Sequence, residues 1–166
     1  ASASAKISDW TAADNAVSRL LSEHTESPIV SCTILNVAET AYEGKHWQAA
    51  SRFFETLLAP GPESPFHAAA LSGLAWSELQ KQDFAKAEQR FRQFAQEHAS
   101  HELAAESAFM VGDSLQKAGK SKEAAIAFVE AFKKFIPHEQ AFLAGLQAAR
   151  LHARLKLPDD ANRIYT

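Results

Sequence analysis

Several groups of residues in this sequence of 166 residues have types and spacings that chemistry could use. Gly119-Lys120-Ser121 ends like a phosphate-binding loop, in which backbone N–H groups and a lysine cradle phosphate oxygens. That loop also needs a glycine five places before its last glycine and a strand ahead of it, whereas position 114 is Ser and the preceding pattern is helical. His98 and His101 would stand one turn apart if a helix ran through them, but Ala99-Ser100 breaks it, and two imidazoles without a third ligand fall short of a closed zinc site. All seven His are expected on the surface. Cys32, the single cysteine, has no nearby His or strand–loop setting that would activate a thiol, and reads as a small groove or core residue. Asp9, Glu23, Glu39, Glu43 and Glu106 fall on helix faces without an enclosed cleft. Arg150 and Arg154, one turn apart, could take a carboxylate or phosphate between them, against the plainer reading of a solvated face. No catalytic residue, no cofactor site and no metal site is expected, and the chain reads as a non-enzyme.

Composition narrows the partners. With 46% hydrophobic and 22% charged residues, 6 Gly and 6 Pro, the chain is expected to be ordered throughout. A formal charge of −3 and the absence of a dense Lys/Arg block give a phosphate-tracking surface little to work with, so nucleic acid is not an expected partner. One cysteine excludes an intramolecular disulfide and leaves the compartment open. No apolar run approaches the roughly 18 residues that span a bilayer, and Ala1 to Lys6 lacks the apolar stretch of a signal peptide.

The elements that would position any site announce themselves as a repeat. Ala50-x3-Phe54, Ala87-x3-Phe91, Ala124-x3-Phe128 and Ala161-x3-Tyr165 follow one another at intervals of 37 residues, and one step back lies Ala13 with Val17. Three places before each Ala stand Trp10, Trp47, Phe84, Ser121 and Pro158. Further along come Leu20-Leu21, Leu57-Leu58, Phe94-Ala95 and Ala131-Phe132, a spacing that only a helix gathers on one face. This is helix B of each unit. Ahead of it lies a second amphipathic stretch, helix A, carrying Ile34/Val37/Ala38, Leu71/Leu74/Ala75, Ala108/Val111/Gly112 and Gly145/Ala148/Ala149. Glu43-Gly44-Lys45, Lys81-Gln82-Asp83, Ala118-Gly119-Lys120 and Lys156-Leu157-Pro158 read as the turns between A and B, with Gly44 one place early. Ser27-Pro28, the Pro60 to Pro65 stretch, Ala99-Ser100 and Pro137 punctuate the units.

The small-large pattern of helix A, the Gly or polar turn and the aromatic-x-x-Ala-x-x-x-aromatic of helix B resemble the tetratricopeptide repeat over nearly the whole chain. The resemblance implies an all-α fold, an α-α superhelix built from antiparallel helix pairs, as a single array with a helix B of a preceding unit at 9–24, units at 31–67, 68–104 and 105–141, and a truncated unit at 142–166. Glu78, where Tyr or Leu is usual, and Ser121 and Pro158 in place of the aromatic are departures that leave the apolar stripe intact. Units about three residues longer than the usual 34 resemble bacterial cell-envelope members of the family, such as the Tol-Pal coordinator and the lipoprotein of the outer-membrane barrel assembly machine.

Such a solenoid presents the A helices on its concave face, and the family's groove positions fall here on Leu35, Glu39 and Tyr42, on Trp76 and Leu79, on Phe109 and Asp113, and on Leu146, Arg150 and Arg154. The surface is acidic toward the first unit and basic toward the last, a match for a protein partner's peptide or helix of opposite polarity, with Trp76 and Phe109 as anchors. The family's Lys/Arg/Asn clamp for a C-terminal carboxylate has Glu39, Glu43, Ser72 and Gly73 at the comparable places, so a chaperone-tail clamp is not expected. In this register both ends cut through repeats, which predicts a partly uncovered stripe at Tyr165 and self-association or fraying there. A spacer or self-association arm, or an accessory region of an enzyme whose catalytic domain lies outside these residues, are the alternative readings.

Overall fold

A computed structural model describes residues 10–23 and 28–155. Among them are eight helices and no strand. The predicted features at Asp9, Lys156 to Pro158, Ala161 and Tyr165 lie outside the described residues. The chain divides into two compact units, 1–81 and 82–166.

The first unit holds α1 (Trp10–Glu23), α2 (Pro28–Glu43), α3 (Trp47–Thr56) and α4 (His67–Gln80). Pro28 occupies the first position of α2, where its missing N–H leaves no bond unmade, so this helix starts three residues before the expected 31. The expected helix B around α3 is short, because Pro60 and Pro62 follow closely and cannot donate to a continuing ladder. Leu57 nevertheless keeps a helical backbone at the end of α3 and is buried. Within this unit α2 packs against both α3 and α4, and α1 against α2.

The second unit holds α5 (Phe84–Glu97), α6 (Ala104–Lys117), α7 (Ser121–Phe135) and α8 (Glu139–Arg154). Here α6 packs against α5, α7 and α8, and α7 against α8. The A-type helices therefore lie in contact with one another in each unit, α2 with α4 and α6 with α8. Neighbouring B-type helices are joined at the surface by polar contacts: Arg52 Nη2 donates to Asp14 Oδ2 at 2.6 Å between α3 and α1, and Arg92 Nη1 stands 3.9 Å from Glu130 Oε2 between α5 and α7.

The repeat has one structural meaning at its three central copies, while in the first copy Val17 is buried and Ala13 only half-buried. Ala50, Ala87 and Ala124 are each fully buried, and Phe54, Phe91 and Phe128 nearly so. A methyl at the helix crossing and an aromatic ring one turn on make the small-large stripe that close packing requires. Ala38 and Ala75, the small positions of helix A, are fully buried as well.

The turns repeat more strictly than the residues in them. Left-handed backbone occurs at Lys45 (φ 62), Gln82 (φ 62) and Gly119 (φ 79), each 37 residues after the last. Two of these are helix stops of the same design: His46 N–H donates to Ala41 C=O at 2.8 Å and Lys45 N–H to Tyr42 C=O at 2.9 Å, while Lys120 N–H reaches Leu115 C=O at 2.9 Å and Gly119 N–H reaches Gln116 C=O at 3.0 Å. Only Gly119 has the residue this geometry favours. A non-glycine residue there costs about 1 to 2 kcal/mol, partly offset by the entropy glycine loses on folding. Lys45→Gly and Gln82→Gly are each expected to stabilise the chain by about 0.5 to 1 kcal/mol, read as a higher urea midpoint with an unchanged slope. A drop in stability would mean that Lys45 or Gln82 contributes more through its side chain than its backbone costs.

Candidate partner-binding site

In the first unit, α2, α3 and α4 border a solvent-open cavity of about 670 Å³ lined by Glu39, Tyr42, Glu43, Phe54, Ala69, Gly73 and Trp76. Its walls follow from the repeat. Tyr42 and Glu39 are one turn apart on the outward face of α2, while Ile34, Ala38 and Ala41 turn inward and are buried. Gly73 lies on α4 where Phe54 comes against the helix; a Cβ at that position would stand only 2.3 to 2.6 Å from carbons of the Phe54 ring, so glycine permits the approach. Trp76, three residues on, is half-buried beside it. The Tyr42 ring meets Trp47 edge-on with centroids 4.9 Å apart. Burial raises the Tyr42 phenol above its ordinary value, and the hydrogen bond with the Gln80 side chain acts the other way. The phenol is consequently neutral around pH 7.

Three of the ten groove residues expected from the sequence, Glu39, Tyr42 and Trp76, thus line one cavity. Leu35 is half-buried on α2 outside its lining. Leu79 is buried at 8% exposure, in the stripe Leu71, Ala75 and Leu79 that recurs every four residues along α4. It belongs to the core of its helix, not to an open surface. Of the other four lining residues, Glu43 and Ala69 also fall at the family's groove positions, whereas Phe54 and Gly73 do not. The signal that could have found Gly73 is a glycine in mid-helix, which is retained only where a side chain does not fit.

In the second unit, Phe109 packs against Phe128 with ring centroids 5.2 Å apart, so much of that ring serves the core. Asp113 pairs with Lys117 one turn along α6. Leu146 and Arg150 are exposed, and Arg154 Nη2 donates to Ser121 Oγ at 3.3 Å. Phe142, Leu143 and Leu146 leave an apolar strip on α8, at 53%, 41% and 48% exposure.

The other chemical candidates have structural places. Gly119-Lys120-Ser121 is the stop of α6 and the start of α7, a helix-to-helix turn. His98 and His101 both set their rings against Phe94, at 5.2 and 5.3 Å between centroids. Two histidines depart from the expected surface position: His67 and His152 are buried, because each lies within four residues of core positions, Ala70 and Leu71 for the first and Ala148 and Leu151 for the second. Cys32 is exposed on α2. No helix among the described residues is long and apolar enough to cross a membrane.

A family model described as a tetratricopeptide repeat-like domain matches residues 1–159. Among solved structures, the nearly identical TPR-like repeats of a Podosopora anserina protein described as a kinesin light chain match with a TM-score of 0.67 at 16% identity, over 93% of this chain and 81% of that one. The apo form of RapI matches with a TM-score of 0.62 at 15% identity, over 95% of this chain and 62% of that one. MamA AMB-1 matches with a TM-score of 0.60 at 17% identity, over 94% of this chain and 81% of that one. No curated protein matches the sequence. The likenesses to solved structures are likenesses of fold.

Proposed function

Because this chain belongs to the tetratricopeptide repeat-like family, we infer that it is a protein-interaction scaffold, holding a peptide or helix of a partner protein against its A-type helices. The observation that carries this reading is the cavity of the first unit, where Glu39, Tyr42 and Trp76 converge from two A-type helices. A half-buried tryptophan on a cavity wall, with acidic groups at its edge, is the make-up of an interface anchor rather than of a reaction site. The reading is non-enzymatic. The exact 37-residue step from Ala50 through Ala87 to Ala124 supports taking both units as portions of one repeat array in sequence. A place in a bacterial cell-envelope complex has that repeat length as its support.

The test is selection of peptides from a displayed random library on the immobilised chain, followed by Trp76→Ala. The substitution is expected to weaken selected peptides at least about tenfold while helical content is retained, since central aromatics dominate such interfaces. Peptides that bind Trp76→Ala and the parent chain equally would show that this cavity is not the docking place.

One observation favours a second reading, a self-association arm: the strip Phe142, Leu143 and Leu146 on α8 is exposed although apolar. If copies of the chain meet there, sedimentation velocity shows a concentration-dependent dimer that Leu146→Asp abolishes, because a carboxylate cannot be desolvated without a partner. A monomer at every concentration removes this second reading.

A further inference from the structure

Resting on the scaffold reading above, we propose that the cavity of the first unit is a receptor for an arginine side chain of the partner peptide. The lining sets the sign of the occupant. It contains two carboxylates, Glu39 and Glu43, three aromatic rings, Tyr42, Phe54 and Trp76, and no Lys, Arg or His. Several acidic side chains elsewhere in the chain are matched from within, Glu78 by Lys81, Asp14 by Arg52 and Asp113 by Lys117. Glu39 and Glu43 are exposed, and among the described residues neither takes part in an ion pair. Four residues apart on α2, they present two acceptors one turn from each other on the same rim.

The walls set the class of cation. Aromatic faces attract positive charge through their quadrupole, and the attraction grows as water is displaced. A guanidinium suits that combination better than an ammonium: it is planar, weakly hydrated, able to lie on a ring and able to fork onto carboxylates. The Tyr42 phenol is neutral near pH 7, its burial raising its titration, so the ring adds no charge of its own and its hydroxyl is occupied with Gln80. The space, about 670 Å³ and open to solvent on one side, falls in the size range of small-molecule sites and has room for a side chain with its flanking residues. An anionic occupant would face two carboxylates with no cation in the lining to offset them.

The experiment uses the full chain with 15N labelling and two short synthetic probes, acetyl-Arg-Leu-amide and its citrulline counterpart, which has nearly the same shape and hydrogen-bonding ability without the charge. The arginine probe is expected to shift the Trp76 indole and the amides of Glu39, Glu43 and Gly73, and to bind at least about tenfold more tightly than the citrulline probe, the margin that a desolvated cation–π contact and one charge-assisted bond supply. Glu39→Gln with Glu43→Gln should erase that preference while leaving the helical spectrum intact. Equal binding of the two probes at these residues overturns the arginine assignment and leaves the cavity as a docking place. So does a set of library-selected peptides that depend on Trp76 but carry no enrichment in arginine. Arginine-probe shifts confined to other surfaces, with selected peptides indifferent to Trp76→Ala, overturn both the assignment and the scaffold reading of this cavity.

Discussion

Phe91→Ala lowers the unfolding free energy by about 3 to 5 kcal/mol, the loss expected when an aromatic ring leaves a core that cannot close over the space. Phe91 is 1% exposed and sits on α5 between Ala87 and Phe94, both at 0%, on the face that α5 turns inward. Neighbouring backbones hold their positions through their own packing, so the space persists and the full cavity cost is felt. Gln89→Ala on the exposed side of the same helix should change stability by less than about 0.5 kcal/mol and serves as the control. Urea unfolding followed by far-ultraviolet circular dichroism and by tryptophan fluorescence gives the number, provided the two transitions coincide. A loss under about 1 kcal/mol for Phe91→Ala would mean that the 37-residue register does not place this ring in the core.

That register was the most legible property of the chain, because it depends on side-chain volume alone. Ala50, Ala87 and Ala124 are small for one reason, helices crossing at short distance, and all three are fully buried. The turns at 43–45, 81–83 and 118–120 were all legible, but which residue turns left-handed was signalled by its type only at Gly119. Lys45 and Gln82 adopt the same left-handed backbone without glycine. At Lys45 the paired N–H bonds of the helix stop, His46 to Ala41 and Lys45 to Tyr42, fix that backbone and bear part of its cost. Leu79 was assigned to a groove by its place in the family pattern, but its spacing from Leu71 and Ala75 put it on the buried stripe, and burial is where it lies. Glu39, Tyr42 and Trp76 could be named from the sequence, whereas their convergence on one cavity could not. It depends on how closely α4 approaches Phe54 at Gly73, a distance set by tertiary packing. The buried histidines His67 and His152 were missed because residue type was given more weight than helix face.

The departure at Glu78 leads to the other large effect: Lys81→Met is expected to cost about 3 kcal/mol. Glu78 occupies a position where the family usually has Tyr or Leu, and its side chain is 7% exposed. Lys81 Nζ donates to Oε1 at 3.0 Å and stands 2.9 Å from Oε2, where it supplies charge without an aligned hydrogen bond. The same Nζ is 3.3 Å from Ser51 Oγ on α3, so the pair also ties α4 to the helix before it. Removing the ammonium leaves a carboxylate away from water with no counter-charge, which is costlier than never having buried the pair. Since Lys81 is itself 20% exposed, the loss belongs at the lower end of the range for broken buried pairs, about 3 to 5 kcal/mol. Glu78→Leu combined with Lys81→Met removes both charges and restores the residue type the repeat ordinarily carries. The double variant is therefore expected within about 1 kcal/mol of the parent chain, or above it. The double-mutant cycle isolates the coupling between the two groups. A double variant as unstable as Lys81→Met alone would assign the loss to packing of the lysine stem instead of to the stranded charge.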